Sequence, residues 1–266
     1  MGLVDYDSGS ESEPETSPPR VAVREAPAAK RTLPGLPSAF ESGPKDDPEL
    51  HQGRSRSRPY VQGDYNAHIY LDLRIPKSLC DLVDELIRKA ELLLPSPETL
   101  HPFPSLHISL THPLPLRRSQ IPAFQSDLTS ALRGLPPFRL SLSSQVRHYQ
   151  NGKKYGGEGS GGRGFLALRV GAGHTELERL LQHAIHPILD RLHLGKYHEN
   201  PEFHASVAWY LLREEGGRLT ERGLAGLNDE FGKEIIKCQP VGGWGVEYVM
   251  FKVGKEVTEI PLGGGA

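Results

Sequence analysis

Apolar and polar positions alternate along residues 65–74. Ile69, Leu71 and Leu73 fall on one side and His68, Tyr70 and Asp72 on the other, which predicts a half-buried β-strand. The period then changes. Leu79, Leu82, Val83, Leu86, Ile87, Ala90 and Leu94 recur at helical spacing, and Ser78 after Pro76 supplies a capping hydroxyl. Proline-rich residues 95–104 return the chain to an apolar strand, Leu106-His107-Ile108-Ser109-Leu110, which the run His112-Pro113-Leu114-Pro115 ends. A second amphipathic stretch covers residues 121–133, and residues 138–142 alternate as a further strand.

The second half repeats this order. A shift of 97 residues carries Ile69, Leu71 and Leu73 onto Leu166, Leu168 and Val170, in phase. A shift of 98 carries the first helical stripe onto Leu177, Leu180, Leu181, Ala184, Ile185, Ile188 and Leu192, in a helix predicted over residues 175–194 that Pro187 should kink. The run Phe203-His204-Ala205-Ser206-Val207-Ala208-Trp209 then reproduces the His-x-Ser strand, 97 residues after the first. A helix over 219–232 follows, with strands at 234–238, 244–253 and 256–260. The pattern describes an internal duplication of strand, helix, His-x-Ser strand, helix, strand. It predicts an α+β fold, mostly antiparallel by its connection lengths, in a two-lobed domain.

Residues 1–58 are different. They are crowded with Ser, Pro, Glu and Gly and have few large apolar residues, so they are expected to be a disordered tail ahead of a domain over 59–266. The lobes are expected near 59–160 and 161–266, with strand exchange between them allowed. The tail ends in Arg-Ser-Arg-Ser-Arg at 54–58, read first as a solvated linker and second as an RNA contact or nuclear address. It contains eight Lys/Arg and ten Asp/Glu, which leaves 23 of each sign in residues 59–266. A neutral domain does not track a long polyanion. It suits a pocket for one nucleic-acid end.

The acidic amino terminus lacks the features of a secretory signal, and no apolar run reaches the length of a membrane span. Cys80 and Cys238, placed in a helix and a strand, form neither a disulfide framework nor a zinc site. His183, His186 and His193 have no acidic or thiol partner at metal-binding spacing, so no metal and no cofactor are expected. Arg117 and Arg118 read first as an exposed pair and second as a phosphate contact. The glycine-rich stretch 151–164 lacks a P-loop ending and reads as a hairpin loop before it reads as a substrate lid.

The chemistry lies in the two His-x-Ser strands. Of twelve histidines only His107 and His204 have Ser or Thr two residues on. On a strand, residues i and i+2 leave the same face, so each copy presents an imidazole and a hydroxyl together. An imidazole near pKa 6.5 serves as base or acid at neutral pH. Two of them can deprotonate an RNA 2′-OH and protonate a departing 5′-oxygen, while Ser109 and Ser206 donate to the non-bridging oxygens. Such a reaction needs no metal, spares DNA and leaves a 2′,3′-cyclic phosphate.

The paired motifs resemble the 2H phosphoesterase superfamily. Tyr197-His198-Glu199-Asn200-Pro201-Glu202-Phe203-His204-Ala205-Ser206-Val207-Ala208-Trp209, with the earlier motif, resembles the U6 snRNA phosphodiesterase family over roughly residues 59–260. The resemblance implies two pseudo-symmetric lobes, each an antiparallel sheet with helices outside, around a cleft that holds both motifs. It implies a nuclear, monomeric 3′→5′ exoribonuclease that trims terminal uridines or adenosines of U6 snRNA and leaves a cyclic phosphate or 3′-phosphate. His107 and His204 would be catalytic, with His204 the base and His107 the acid, and Ser109 and Ser206 would bind phosphate. The family has an aromatic residue six before the second histidine. Here that position is His198 beside Tyr197, either of which would stack on the terminal base. Two alternatives are a phosphodiesterase that opens preformed 2′,3′-cyclic ends and a non-catalytic RNA-end-binding module.

Overall fold

The computed structural model describes residues 61–94, 99–151, 162–197, 201–212 and 219–263. The tail expected over 1–58, His198, and residues 152–161 of the glycine-rich stretch lie outside the described residues.

The chain is α+β and all pairings among the described strands are antiparallel. Strands β1 (Asp64–Leu73), β2 (His101–Pro102), β3 (Leu106–Ser109), β4 (Leu114–Arg117), β6 (Leu142–Asn151), β7 (Arg163–Val170), β8 (His204–Leu211), β10 (Tyr248–Val253) and β11 (Glu256–Pro261) make one sheet. Its main order is β11-β10-β1-β3-β8-β7-β6, with β4 beside β1 and β2 beside β8. The short strands β5 (Phe138–Leu140) and β9 (Trp244–Val246) pair separately, and the Arg139 guanidinium donates to the carbonyls of Val241, Gly242 and Gly243 beside them.

One face of the large sheet is core. Ile69, Ile108, Leu168 and Ala205 have no exposed surface, and the helices pack on this side. Helix α1 (Lys77–Leu92) meets β8 and α5 (Glu221–Lys237), α5 lies along β6, and α2 (Ile121–Leu132) meets β11. Most positions matched by the 97- and 98-residue shifts are buried in both halves, with Leu82 and Leu192 half-buried. Leu71 and Leu168, Leu79 and Leu177, and Leu86 and Ala184 all belong to one apolar cluster. The alternate residues of the same strands form the opposite face, where the polar positions of the sequence pattern lie.

Several expectations about elements need correction. Helix α1 is capped at Pro76, without a side-chain hydrogen bond from Ser78, because the proline already has the extended backbone of an N-cap. The run Leu114–Arg117 re-enters the sheet as β4. Pro115 is tolerated there because β4 lies at an edge, paired among the described strands with β1 alone. Residues 234–238 are not a strand. Helix α5 continues through Lys237 and Cys238 is its cap, since Ile235 buries its side chain within the helical stripe of Leu227 and Phe231. The helix expected over 175–194 is α3 (His174–Leu180), a π-helical turn at Leu181–Ile185, and α4 (His186–Arg191). Pro187 has no N–H and its ring crowds the carbonyl four residues earlier, and the widened turn directly before it accommodates both effects.

Candidate active site

The two His-x-Ser strands are neighbours. Strand β3 pairs with β8 through Ile108↔Ala205, both on the core face. Extended by one residue each way, this antiparallel register sets His107 opposite Ser206 and Ser109 opposite His204. All four side chains are partly exposed on the face away from the core. The structure therefore brings the four residues singled out by the sequence onto one patch, each histidine across from the other strand's serine.

His204 is fixed on two sides. Its Nδ1 lies 2.7 Å from the Glu202 carbonyl oxygen, which can only accept, so Nδ1 carries the hydrogen and Nε2 is the unprotonated nitrogen of the neutral ring. The Tyr149 ring stacks on it at 4.0 Å and 17°. Tyr149 is held in turn by a 2.9 Å hydrogen bond from its hydroxyl to Glu202 Oε2. Burial, then this bond and charge, push the phenol well above its ordinary range.

His107 has a different setting. Tyr70 and Phe103 meet its ring edge-on at 5.4 and 6.1 Å, and Phe103 continues as a stack on Phe165. Burial lowers its pKa, with Lys252 acting in the same direction, while a hydrogen bond to the Ser105 backbone and the Asp72 carboxylate raise it. A third histidine, His68, lies beside it at 5.9 Å with Nε2 3.2 Å from Ser109 Oγ. Burial first, then the charges of His107 and Lys252, lower its pKa to about 4.

His68, Tyr70, Phe103, Tyr149 and Lys252 are site residues that sequence reasoning missed. The alternation of residues 65–74 had already set His68 and Tyr70 on the polar face. Tyr149 and Lys252 come from strands whose neighbours no local pattern specifies. Tyr197 is half-buried with its ring edge-on to His112 at 4.9 Å, and burial raises its phenol pKa. His198 lies outside the described residues. Arg117 is tied to Asp64 at 3.0 Å and to the Gln62 carbonyl at 2.9 Å, so its guanidinium joins β4 to the start of β1. His183, His186 and His193 are on and just beyond the helix on the core side. Among the described residues no three His, Cys, Asp or Glu form a metal-binding group. A recess of about 570 Å³ on α2, lined by residues such as Gln125, Thr129 and Arg133, contains no histidine or carboxylate. No helix among the described residues is long and apolar enough to cross a membrane.

The arrangement suits acid–base work on a phosphodiester. It sets an imidazole whose Nδ1 is held by a carbonyl, leaving Nε2 for a proton in transit, beside a second imidazole, with a serine hydroxyl across from each.

Comparison with known proteins agrees with this chemistry. Residues 31–261 match the HVSL family, described as an uncharacterised conserved protein. The chain is 30% identical over 226 residues to U6 snRNA phosphodiesterase 1 of Bos taurus, covering 84% of this chain and 78% of the relative. It is 28% identical over 304 residues to U6 snRNA phosphodiesterase 1 of Neurospora crassa, covering 96% and 80%. The structure of Kluyveromyces marxianus Usb1, also solved with uridine monophosphate, superposes with a TM-score of 0.51 at 15% identity over 74% of this chain and 98% of that one, a likeness of fold. With the paired motifs on one sheet face and these relatives spanning most of its length, the chain belongs to the HVSL family of U6 snRNA phosphodiesterases.

Proposed function

We propose that this protein is a 3′→5′ RNA exonuclease that trims the uridine- or adenosine-bearing 3′ end of U6 snRNA by metal-free transesterification. The observation that supports this most is the Ile108↔Ala205 register, which sets two imidazoles and two hydroxyls side by side. His204 Nε2 takes the proton of the 2′-OH next to the last linkage, and the 2′-oxygen attacks phosphorus. His107, protonated, gives its proton to the departing 5′-oxygen of the terminal nucleoside. Ser109 and Ser206 donate to the non-bridging oxygens as charge develops there. The lyase step leaves a 2′,3′-cyclic phosphate, and water entering by the reverse proton path opens it to a 3′-phosphate. Tyr197 or His198 is the surface against which the terminal base stacks.

The sheet order supports a duplicated architecture behind this site, with two pseudo-symmetric lobes meeting along β3 and β8. In it β10-β1-β3 corresponds to β6-β7-β8, so β6 from the first half joins the second lobe and β10 joins the first. The protein acts as a nuclear monomer, to be checked by localisation of the tagged chain and by light scattering.

The experiment that decides the reaction is mass analysis of products from a short uridine-tailed RNA. It is compared with the same RNA carrying a 2′-deoxynucleotide 5′ of the terminal linkage. Cleavage of the first, with a cyclic or 3′-phosphate end, and persistence of the second are expected, unchanged by chelator. Equal cleavage of both, or loss of activity to chelator, would sink the mechanism.

A further inference from the structure

His68 takes no part in the reaction as drawn, yet its ring lies inside the site. The register Tyr70↔Ser109 puts His68 a diagonal step from Ser109 on the same face, with Nε2 3.2 Å from Oγ. Tyr70 stacks on it at 5.3 Å and His107 meets it edge-on at 5.9 Å, so the ring is held from three directions. A serine hydroxyl has one hydrogen and two lone pairs, and it turns about its Cβ–Oγ bond unless a neighbour fixes it.

We propose that His68 is a positioning residue, a third histidine of the site, whose Nε2–H is given to a Ser109 lone pair and so turns the single Ser109 hydrogen toward the phosphoryl oxygen. This rests on Ser109 being a phosphate donor, the role assigned to it above. Donation into Oγ also polarises the hydroxyl and strengthens the bond it makes in turn. The other neutral tautomer would accept the Ser109 hydrogen and leave lone pairs facing an anion, which repels them.

Neutrality is essential to this role, because a second imidazolium beside His107 would oppose protonation of the acid. The groups facing His68 meet that need. Burial acts first, followed by the charges of His107 on β3, Lys252 on β10 and His112 beyond β3, against a hydrogen bond to the Thr111 backbone that favours the charged ring and that the neutral ring, with its one N–H given to Ser109, does not make. Tyr70, on the same strand, is raised by burial and the Asp72 carboxylate and stays neutral as well.

The test is a double-mutant cycle of His68→Ala and Ser109→Ala, with His68→Gln alongside, whose amide can donate but never titrates. Two quantities are read, kcat/KM on uridine-tailed RNA and the affinity for uridine monophosphate by calorimetry. Each single alanine variant is expected to lower both by roughly ten- to a hundredfold, the range for a hydrogen bond to a charged group. The double variant is expected to be no worse than the weaker single one, and glutamine to recover most of the loss. Losses that multiply in the double variant, or a glutamine variant as impaired as alanine, overturn the proposal. If His68→Ala fails to fold, His68→Phe, which keeps the ring stack on Tyr70 and cannot donate to Ser109, takes its place in the cycle. Coupled nucleotide binding without RNA cleavage would refute the proposed reaction and leave His68 in its role. Cleavage that needs His107 and His204 while the losses multiply would do the reverse.

Discussion

Ile108 on β3 and Ala205 on β8 face each other in antiparallel register, both with no exposed surface. This pair joins the two strands that carry the site histidines, so the packing behind the sheet sets the spacing of the chemistry in front of it. Ile108→Ala should cost about 2–5 kcal/mol from lost burial and the cavity left behind. Denaturant unfolding measures that cost, and turnover should fall by more than the unfolded fraction accounts for.

His107→Ala and His204→Ala should each lower trimming by roughly 10²- to 10⁴-fold, the usual contribution of a positioned acid or base. Both rings are partly exposed, so the thermal midpoint should stay within a few degrees of the parent. A full loss of activity that follows loss of folding would count against a catalytic role.

The pH dependence of stability has a defined sign. His68 titrates at about 4 in the folded chain against 6.5 when unfolded, so between these values the unfolded state binds the extra proton. Stability should therefore be fully present above pH 6.5 and fall as pH drops toward 4, by up to about 3 kcal/mol from this residue. His107, lowered in the same direction, adds to the slope. Unfolding at pH 5 and 7 should show a smaller difference in His68→Gln than in the parent.

Tyr149 makes two separable contacts, a stack on His204 and a hydrogen bond to Glu202. Tyr149→Phe keeps the stack on His204 and removes the hydroxyl bond to Glu202, and should leave turnover within a few-fold of the parent. Tyr149→Ala removes both and releases the imidazole. It should cost roughly a further two- to twelvefold beyond Tyr149→Phe, mainly in kcat, since aromatic contacts of this kind contribute about 0.5–1.5 kcal/mol. Steady-state rates on the same RNA separate the two.

Gly164 on β7 passes so close to buried Tyr210 and half-buried His148 that a Cβ there would lie 2.5 Å from the Tyr210 ring and 2.8 Å from His148 Nε2. Tyr210 and His148 are themselves joined at 2.8 Å. Gly164→Ala should therefore destabilise by about 1–3 kcal/mol through overpacking, read from the denaturation midpoint.

Much of the scaffold was legible because its signals are local. The alternation around Ile69, Leu71 and Leu73 and its echo at Leu166, Leu168 and Val170 required only the strand period. Where the period was ambiguous the expectation failed. Ile235 and Ile236 look apolar enough for a strand, yet α5 takes them because Leu227, Phe231 and Ile235 make one helical stripe. Pro115 looked like an end to pairing, but at a sheet edge its missing N–H is not needed.

The sequence by itself determined which residues share a face within each strand, because side-chain direction follows from backbone period alone. That is why His107 with Ser109 and His204 with Ser206 could be named at once. Which strands become neighbours depends on burial and pairing between segments distant in the chain, and only the tertiary structure decided it. That choice set β3 against β8, brought His68 from β1 beside His107 with Lys252 of β10 opposite His68, and laid Tyr149 from β6 over His204.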